Sequence, residues 1–477
     1  MNTCANLIDN QWVPHPSAPA IDVHNPATGA LVGRVSSAST AQVLQAVEAA
    51  SRAQRGWGRL PAIERGQMLR RFADALEARK GAIGAALALE SGKSREDSEN
   101  EAVYAAEVTR YHAEWARRIE GEIIPSDSPD ENLMLHRVPI GVVACLIPFN
   151  YPVYTLLRKI APALITGNTV VVRPSNQTPC SALEIGQAVL DAGLPPGVIN
   201  ITAMGHDAAR AMCTHERVGM ITLTGGVGAG RTVLEYAKAN IARVSLELGG
   251  KSPAIVAADA DLEQAASDIV RSRTTNSGQL CTAIERVYVV ADKHDALLAL
   301  LRQKMQARRF GDRAVHPDHM GPMISEAARQ AVHGMVQRAV ADGARLECGG
   351  QMPDGPGHFY PPTLLSAVRQ EMEIVREEIF GPVLCVLPCD DMAHALALAN
   401  DHQFGLASVL YTNDYREVMR FSNAIEAGEF YINRTPADPY QGYHAGWKRS
   451  GLGGDDGKHG MLEFTQTRLV VMPHGRP

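Results

Sequence analysis

A glycine-dense turn, "MITLTGGVGAGRTV" from Met220 to Val233, holds residue types that could handle a phosphate. Glycine lets backbone N–H groups converge on an anion, and the N-terminus of a following helix adds partial positive charge. Two chemistries use such a turn. Gly225 and Gly230, followed by Arg231 and Thr232, approach the triphosphate loop G-x-x-x-x-G-K-[ST], whereas Gly226, Gly228 and Gly230 approach a dinucleotide fingerprint. A triphosphate loop needs a lysine to reach the outer phosphates, and Arg231 stands there instead. "AIVAAD", ending at Asp259, imitates the acidic strand end of such hydrolases, but apolar runs closed by aspartate are common in α/β proteins. What survives is a strand, a tight turn and a helix start suited to a phosphate, a pattern that can also be purely structural.

Three further stretches hold reactive residue types. "TTNSGQLCTAIERV" places Cys281 after a small, polar, glycine-containing turn and before β-branched residues. "SLELGGKSPAIV" places Glu247 one residue before paired glycines, where a backbone can turn sharply beside a ligand. "CLIPFNYPVYTLLRKIAPALITGN" sets Asn150 between Pro148 and Pro152 at a strand-to-helix turn. Taken singly these are a buried thiol, a capping carboxylate and a turn asparagine.

The elements that must position them follow a regular rhythm. Strand-and-turn patterning over "ANLIDNQWVPHPSAPAIDVHNPATGALVGRV" gives way to helical periodicity from Thr40 to Trp115. Short β-branched runs then alternate with helices, among them "NTVVVRPS", "GVINITAM", "GMITLTG" and "RVSLELGG", which signals a parallel, doubly wound sheet. The rhythm returns after Glu247, so two α/β domains meeting near that residue are expected. A strand-like tail, "TQTRLVVMPHG", follows a glycine-rich loop from Gly451 to Gly460 and is suited to pairing outside its own domain, including with another subunit.

Bulk properties exclude other classes. A chain of 477 residues is long for one core. Its net charge of -6 gives no electrostatic case for nucleic acid or an anionic membrane. No charged-then-apolar leader opens the chain, and the longest greasy stretch is interrupted by Pro148, Asn150 and Pro152, so a cytoplasmic protein is expected. The eight cysteines include no C-x-x-C pair, which leaves a metal site without support; Cys385 and Cys389 read as buried thiols in a strand.

Together, "IPFNYP", "LITGNTVVVRPSNQTP", "TLTGGVGAG", "LELGGKSP", "NSGQLCTA", "EEIFGPVL" and "FGLASVLYT" resemble the aldehyde dehydrogenase superfamily, in that family's order and across essentially the whole chain. The resemblance implies an α/β fold with a Rossmann-like cofactor domain from residues 1–116 and 140–246. It further implies a catalytic domain from 247–445 and oligomerisation strands from 117–139 and 462–477, building a homodimer or a tetramer. Cys281 would be the nucleophile, Asn150 an oxyanion donor, Glu247 the general base and Lys159 a proton-transfer lysine. Pro148, Phe149, Arg173, Ser175, Asn176, Gly225, Gly226, Gly230, Glu378 and Phe380 would hold NAD(P). Gly226 stands where relatives usually carry serine, so one side-chain contact to phosphate is missing. Asn176 replaces an acid that would repel a 2′-phosphate and Arg173 could pair with one, so NADP is expected to be tolerated or preferred.

Arg158, Thr282, Asp438 and His444 fall where the resemblance places the aldehyde, with Tyr443 and Trp447 expected close by. This set, with "AEWARRIEGEI", looks most like lactaldehyde and glycolaldehyde dehydrogenases. The implied substrate is a small polar aldehyde, gripped at its far end by Arg158 and His444. A succinate-semialdehyde enzyme with Arg158 on the distal carboxylate is the alternative, and a non-catalytic member of the family is the alternative of another class.

Overall fold

The computed structural model describes residues 4–15 and 20–475. The expected ranges 1–116 and 462–477 thus include positions 1–3, 16–19 and 476–477 that lie outside the described residues. Two large sheets carry the molecule. The first has eight strands in the order Gln11–Val13, Asn6–Ile8, Ile199–Ile201, Thr169–Arg173, Val142–Leu146, Val218–Thr224, Arg243–Glu247 and Gly451–Leu452. Its five central strands run parallel. Chain direction across the sheet reverses between Val142–Leu146 and Val218–Thr224, and in open α/β sheets ligands bind at the carboxyl ends beside such a switch point. Val170, Val171 and Val172 are all fully buried, which is why this central strand reads as an unbroken apolar run rather than an alternating one.

The second sheet has seven strands, with Ile284–Val290 at its centre and Ser252–Val256 between it and Ala407–Tyr411. The two sheets join where Arg243–Glu247 ends and Ser252–Val256 begins. Gly249 and Gly250 make that join. A Cβ on Gly250 would lie 2.2 Å from the Cys281 carbonyl oxygen, and one on Gly249 would lie 2.4 Å from a Glu378 oxygen. The glycines therefore allow three segments to touch. The strand Gly451–Leu452 returns to pair beside Glu247, so the chain after the second sheet packs back on the first.

Between strand and site stands the helix Pro152–Ile165, which opens on proline and is buried on every side except at Tyr154. A helix apolar all round is a core helix, and this one carries Arg158 and Lys159 into the interior. The early helical region resolves into four helices between Thr40 and Ala113. A three-stranded antiparallel sheet stands apart, with Thr465–Pro473 paired to Glu131–Pro139 over nine residues and Glu122–Ile124 at its edge. Cys385 and Cys389 are buried in the strand Val383–Cys389. Among the described residues, no helix is long and apolar enough to cross a membrane.

Candidate active site

The loop carrying Cys281 is held in an uncommon shape. After the helix Leu262–Thr274, Asn276, Ser277 and Gly278 have φ of 46°, 58° and 74°. Consecutive left-handed residues are costly unless neighbours impose them. Here the Arg273 guanidinium donates to the Gly278 carbonyl, Ser277 Oγ donates to Gly321 O at 2.7 Å, and the Ile324 N–H reaches Gln279 Oε1 at 2.8 Å. Asn150 is tied to the same loop. Its Nδ2 donates to Gln279 O at 3.2 Å, and Asn276 Nδ2 donates to Asn150 O at 3.2 Å. The buried Glu101 carboxylate accepts from the Val153 and Tyr154 N–H groups, and its other oxygen pairs with Lys93 Nζ at 2.5 Å. A carboxylate at a helix N-terminus satisfies donors that have no intrahelical partner, so Glu101 fixes where Asn150 emerges.

Cys281, Glu247, Asn150, Arg158, Asp438 and His444 line one cavity of about 900 Å³. Its floor is a buried charge cluster. Arg158 pairs with Asp438 at 2.9 Å and with Asp456, while His444 Nδ1 lies 2.9 Å from Glu429 Oε1 and Nε2 3.3 Å from Glu247 Oε2. Burial and the Arg158 charge oppose protonation of His444, but the Glu429, Glu247 and Asp438 carboxylates outweigh them and hold the imidazolium well above the usual histidine range. Burial pushes Glu247 up to about 8. Neither of its oxygens has hydrogen-bond geometry to a protein group, the His444 contact being electrostatic. Burial also raises the Cys281 thiol, and His444 beside it pulls the value back.

Lys159 is fully buried, donating to Thr222 Oγ1 and Asp455 Oδ2, each at 2.9 Å. It is no surface lysine. Thr282 is fully buried and absent from the cavity wall, with its hydroxyl unpartnered. Trp447 also misses the wall: it sits half-exposed in a short ladder with Phe404 and Gly405. Tyr443 packs instead on His459. Asp259, the imitation hydrolase acid, is spent on Thr412 Oγ1 and the Asn413 N–H at 2.8 Å each.

Most of the cofactor candidates follow the carboxyl ends of neighbouring parallel strands, while Glu378 and Phe380 lie in the loop before the strand Val383–Cys389. Pro148 and Phe149 follow Val142–Leu146; Arg173 closes Thr169–Arg173, with Ser175 and Asn176 just beyond; Gly225 and Gly226 follow Val218–Thr224. Gly226 is the N-cap of the helix Val227–Ala237 and has no side chain to cap it. A Cβ on Gly226 or Gly228 would meet nothing within 4 Å, so this helix end is open. Gly230 differs: a Cβ there would lie 2.7 Å from Leu248, so this glycine lets the helix pack closely on that side chain. Arg173 Nε donates to Met204 O at 3.3 Å, leaving its Nη groups, and the buried Asn176 Oδ1 has no protein partner. Ser175 Oγ accepts from the Gln177 N–H at 3.2 Å. Glu378 accepts from the Gly250 N–H at 2.9 Å and rises to about 8 through burial and the nearby Glu285 charge. Phe380, at φ 52°, meets Phe149 edge-on with centroids 6.0 Å apart. An open helix end suits a pyrophosphate, free guanidinium nitrogens suit an adenosine phosphate, and an aromatic pair and a carboxyl suit a nicotinamide ribose, so these residue chemistries fit a dinucleotide.

Asp455, Asp456, Glu429 and Glu101 went unnoticed in the sequence. The first two form an acidic pair inside the glycine-rich stretch "GGDDG", the only signal that pointed to them. Nothing local distinguishes Glu101 or Glu429.

Comparison with known proteins gives a consistent picture. The description "Aldehyde dehydrogenase family" matches residues 12–470. Lactaldehyde dehydrogenase of Escherichia coli is 44% identical over 98% of this chain and 98% of its own length. D-glyceraldehyde dehydrogenase (NADP(+)) of Thermoplasma acidophilum is 35% identical, over 98% of this chain and 96% of its own. The crystal structure of the Escherichia coli lactaldehyde dehydrogenase superposes with a TM-score of 0.97 at 44% identity, covering 99% of each chain.

Proposed function

The chain belongs to the aldehyde dehydrogenase family, NAD(P)-dependent oxidoreductases acting on small aldehydes, and from that premise we propose that it oxidises a short hydroxylated aldehyde to its acid through Cys281. The observation carrying this reading is the single cavity in which Cys281, Glu247 and Asn150 meet the Arg158–Asp438–His444 cluster.

The Cys281 sulfur adds to the aldehyde carbon, with the His444 imidazolium favouring the thiolate. The Asn150 amide stabilises the oxyanion that forms. A bound nicotinamide cofactor supplies acceptance of the hydride. Glu247 then takes a proton from the water that attacks the resulting thioester, releasing the acid and restoring the thiol. Its unpartnered oxygens and raised pKa suit a group that alternates between holding and releasing a proton. Lys159, braced by Thr222 and Asp455, supports that transfer through its charge near Glu247.

The aldehyde's far end decides between substrates. The Arg158 charge is already offset by Asp438 and Asp456, so the carboxylate of a semialdehyde would meet two acids as well as the guanidinium. A hydroxyl meets no such opposition, because it donates to Asp438 or accepts from His444. The name of the Escherichia coli relative supports the same class. For the cofactor, neutral Asn176 beside the free Arg173 nitrogens supports use of NADP as well as NAD. The exposed Ile123, Leu469 and Val471 of the separate three-stranded sheet support assembly of like subunits through that sheet.

Initial rates with lactaldehyde, glycolaldehyde, succinate semialdehyde and benzaldehyde, using NAD and NADP, test the reading. The hydroxyaldehydes are expected to give the highest kcat/KM, and Cys281→Ala to abolish turnover. A clear lead for succinate semialdehyde would make Arg158 a carboxylate clamp and overturn the substrate assignment.

A further inference from the structure

Four residues after Cys281, at the start of the strand Ile284–Val290, a carboxylate sits inside the protein: Glu285 is 2% exposed. Each of its oxygens takes one cation and one backbone N–H. Oε2 accepts from Lys251 Nζ at 2.7 Å and the Ile379 N–H at 2.9 Å. Oε1 pairs with Arg273 Nη1 at 2.8 Å and accepts from the Phe380 N–H at 3.0 Å.

Those four donors come from three segments. Lys251 closes the Gly249–Gly250 turn beyond Glu247. Arg273 grips the Gly278 carbonyl and so sets the left-handed loop leading to Cys281. Ile379 and Phe380 belong to the loop whose Glu378 carboxyl accepts from the Gly250 N–H. Phe380 has a φ of 52°, which a bulky residue adopts only when held.

A buried charge is rarely a gain in stability over an apolar residue of similar volume. Its use lies in fixing one geometry. We propose that Glu285 is a positioning residue for hydride transfer, registering the Glu378–Phe380 loop against the loop that presents Cys281. This rests on the reading in which Cys281 attacks the aldehyde and Glu378 and Phe380 meet the nicotinamide end of the cofactor. Since every partner of Glu285 is a donor, an amide there sets its own N–H groups against donors. The side chain is thus specified as a carboxylate, not merely as a polar group of that length.

The test compares Glu285→Gln and Glu285→Asp with the parent enzyme in three assays: cofactor KM and kcat/KM, aldehyde KM, and hydrolysis of p-nitrophenyl acetate. The ester needs the thiol and water but no hydride acceptor. In Glu285→Gln, kcat/KM for the cofactor is expected to fall about thirtyfold, mostly through KM, while ester hydrolysis falls no more than about threefold. Glu285→Asp keeps the charge and recovers part of the cofactor loss, and it carries the comparison if the glutamine variant does not fold. Equal losses in both assays, or an unchanged cofactor KM, would overturn the proposal. Ester hydrolysis that survives Cys281→Ala would instead sink the underlying nucleophile reading, and the proposal with it.

Discussion

Two buried charge clusters lie within one fold and differ in how completely they are satisfied. Around Glu285 each carboxylate oxygen has a cation and a backbone donor, and the Lys251 and Arg273 charges hold its carboxyl below the usual range despite burial. Around His444 the accounts are open. Glu247 has no true hydrogen bond, and Asp455 and Asp456 each keep one unpartnered oxygen. The carboxylates differ more than the cations do: an unpartnered Nε occurs on Arg158 here and on Arg273 beside Glu285 alike. Burial lifts Asp456 to about 6 and Glu247 to about 8. A cluster with one protonation state suits a brace; a cluster with several close in energy suits proton traffic. Glu247, Arg158, Asp438 and His444 of the open cluster line the cavity, and Glu285, Lys251 and Arg273 do not.

The largest effect is expected from freezing the open cluster. Glu247→Gln keeps the shape and removes the titration, so steady-state turnover should fall about 10²- to 10⁴-fold. Thiohemiacetal formation does not need that base. Mixing enzyme, aldehyde and cofactor should therefore still give a burst of reduced cofactor before turnover stalls, and a missing burst would place Glu247 in an earlier step. The parent enzyme's kcat should rise with pH around 8 as Glu247 ionises, and this limb should vanish in the variant. The sign for stability is opposite. The folded carboxyl binds its proton more tightly than the unfolded one, so its contribution is present below about 4.5 and lost as pH climbs through about 8. Glu247→Gln should thus gain in unfolding midpoint over the parent at alkaline pH.

Stability is expected to rank the clusters the other way. Lys251→Met strips one cation from the closed cluster and leaves Glu285 under-compensated, at a cost of about 3 kcal/mol. Asp456→Asn in the open cluster removes a charge that burial already disfavours and leaves Asp438 to offset Arg158, so about 1 kcal/mol or less is expected. Urea unfolding of the two variants side by side checks this. Equal losses would erase the distinction between brace and proton-handling site.

The fold was legible in the sequence because it depends on local pattern, whereas Cys281, Glu247 and Asn150 stood out only through the family resemblance of the turns that carry them. Alternating β-branched runs and helices announce parallel sheets, and the turns that expose Cys281, Glu247 and Asn150 carry their own glycines and prolines. Partners brought in from afar were another matter. Asp455 and Asp456 lie nearly three hundred residues from Lys159 and Arg158 in the chain, at separations of 296 and 298. Glu285 stands four places from the cysteine, yet no local pattern marks it, because its four donors come from positions scattered between Lys251 and Phe380. Gly230 shows a related limit, since the space its missing Cβ leaves is taken by Leu248. A glycine that admits a phosphate and one that admits a leucine side chain look identical until the neighbour is known.

The smallest predicted effect isolates the helix end at the other edge of the site. Gly226 caps Val227–Ala237 without a side chain, and the space a Cβ would fill is empty. Its φ of -79° and ψ of 162° are open to any L-residue, so Gly226→Ser introduces no strain. Serine is a better N-cap than glycine by only a few tenths of a kcal/mol, and its hydroxyl can also reach a phosphate seated on the helix end. The two effects compete for one oxygen. If phosphate binding uses the hydroxyl, cofactor KM should fall about two- to threefold with aldehyde KM unchanged. If the hydroxyl turns inward to cap the helix, stability rises slightly and cofactor KM stays where it was. The pair of numbers thus shows whether this turn, unlike either charge cluster, is governed by its backbone alone.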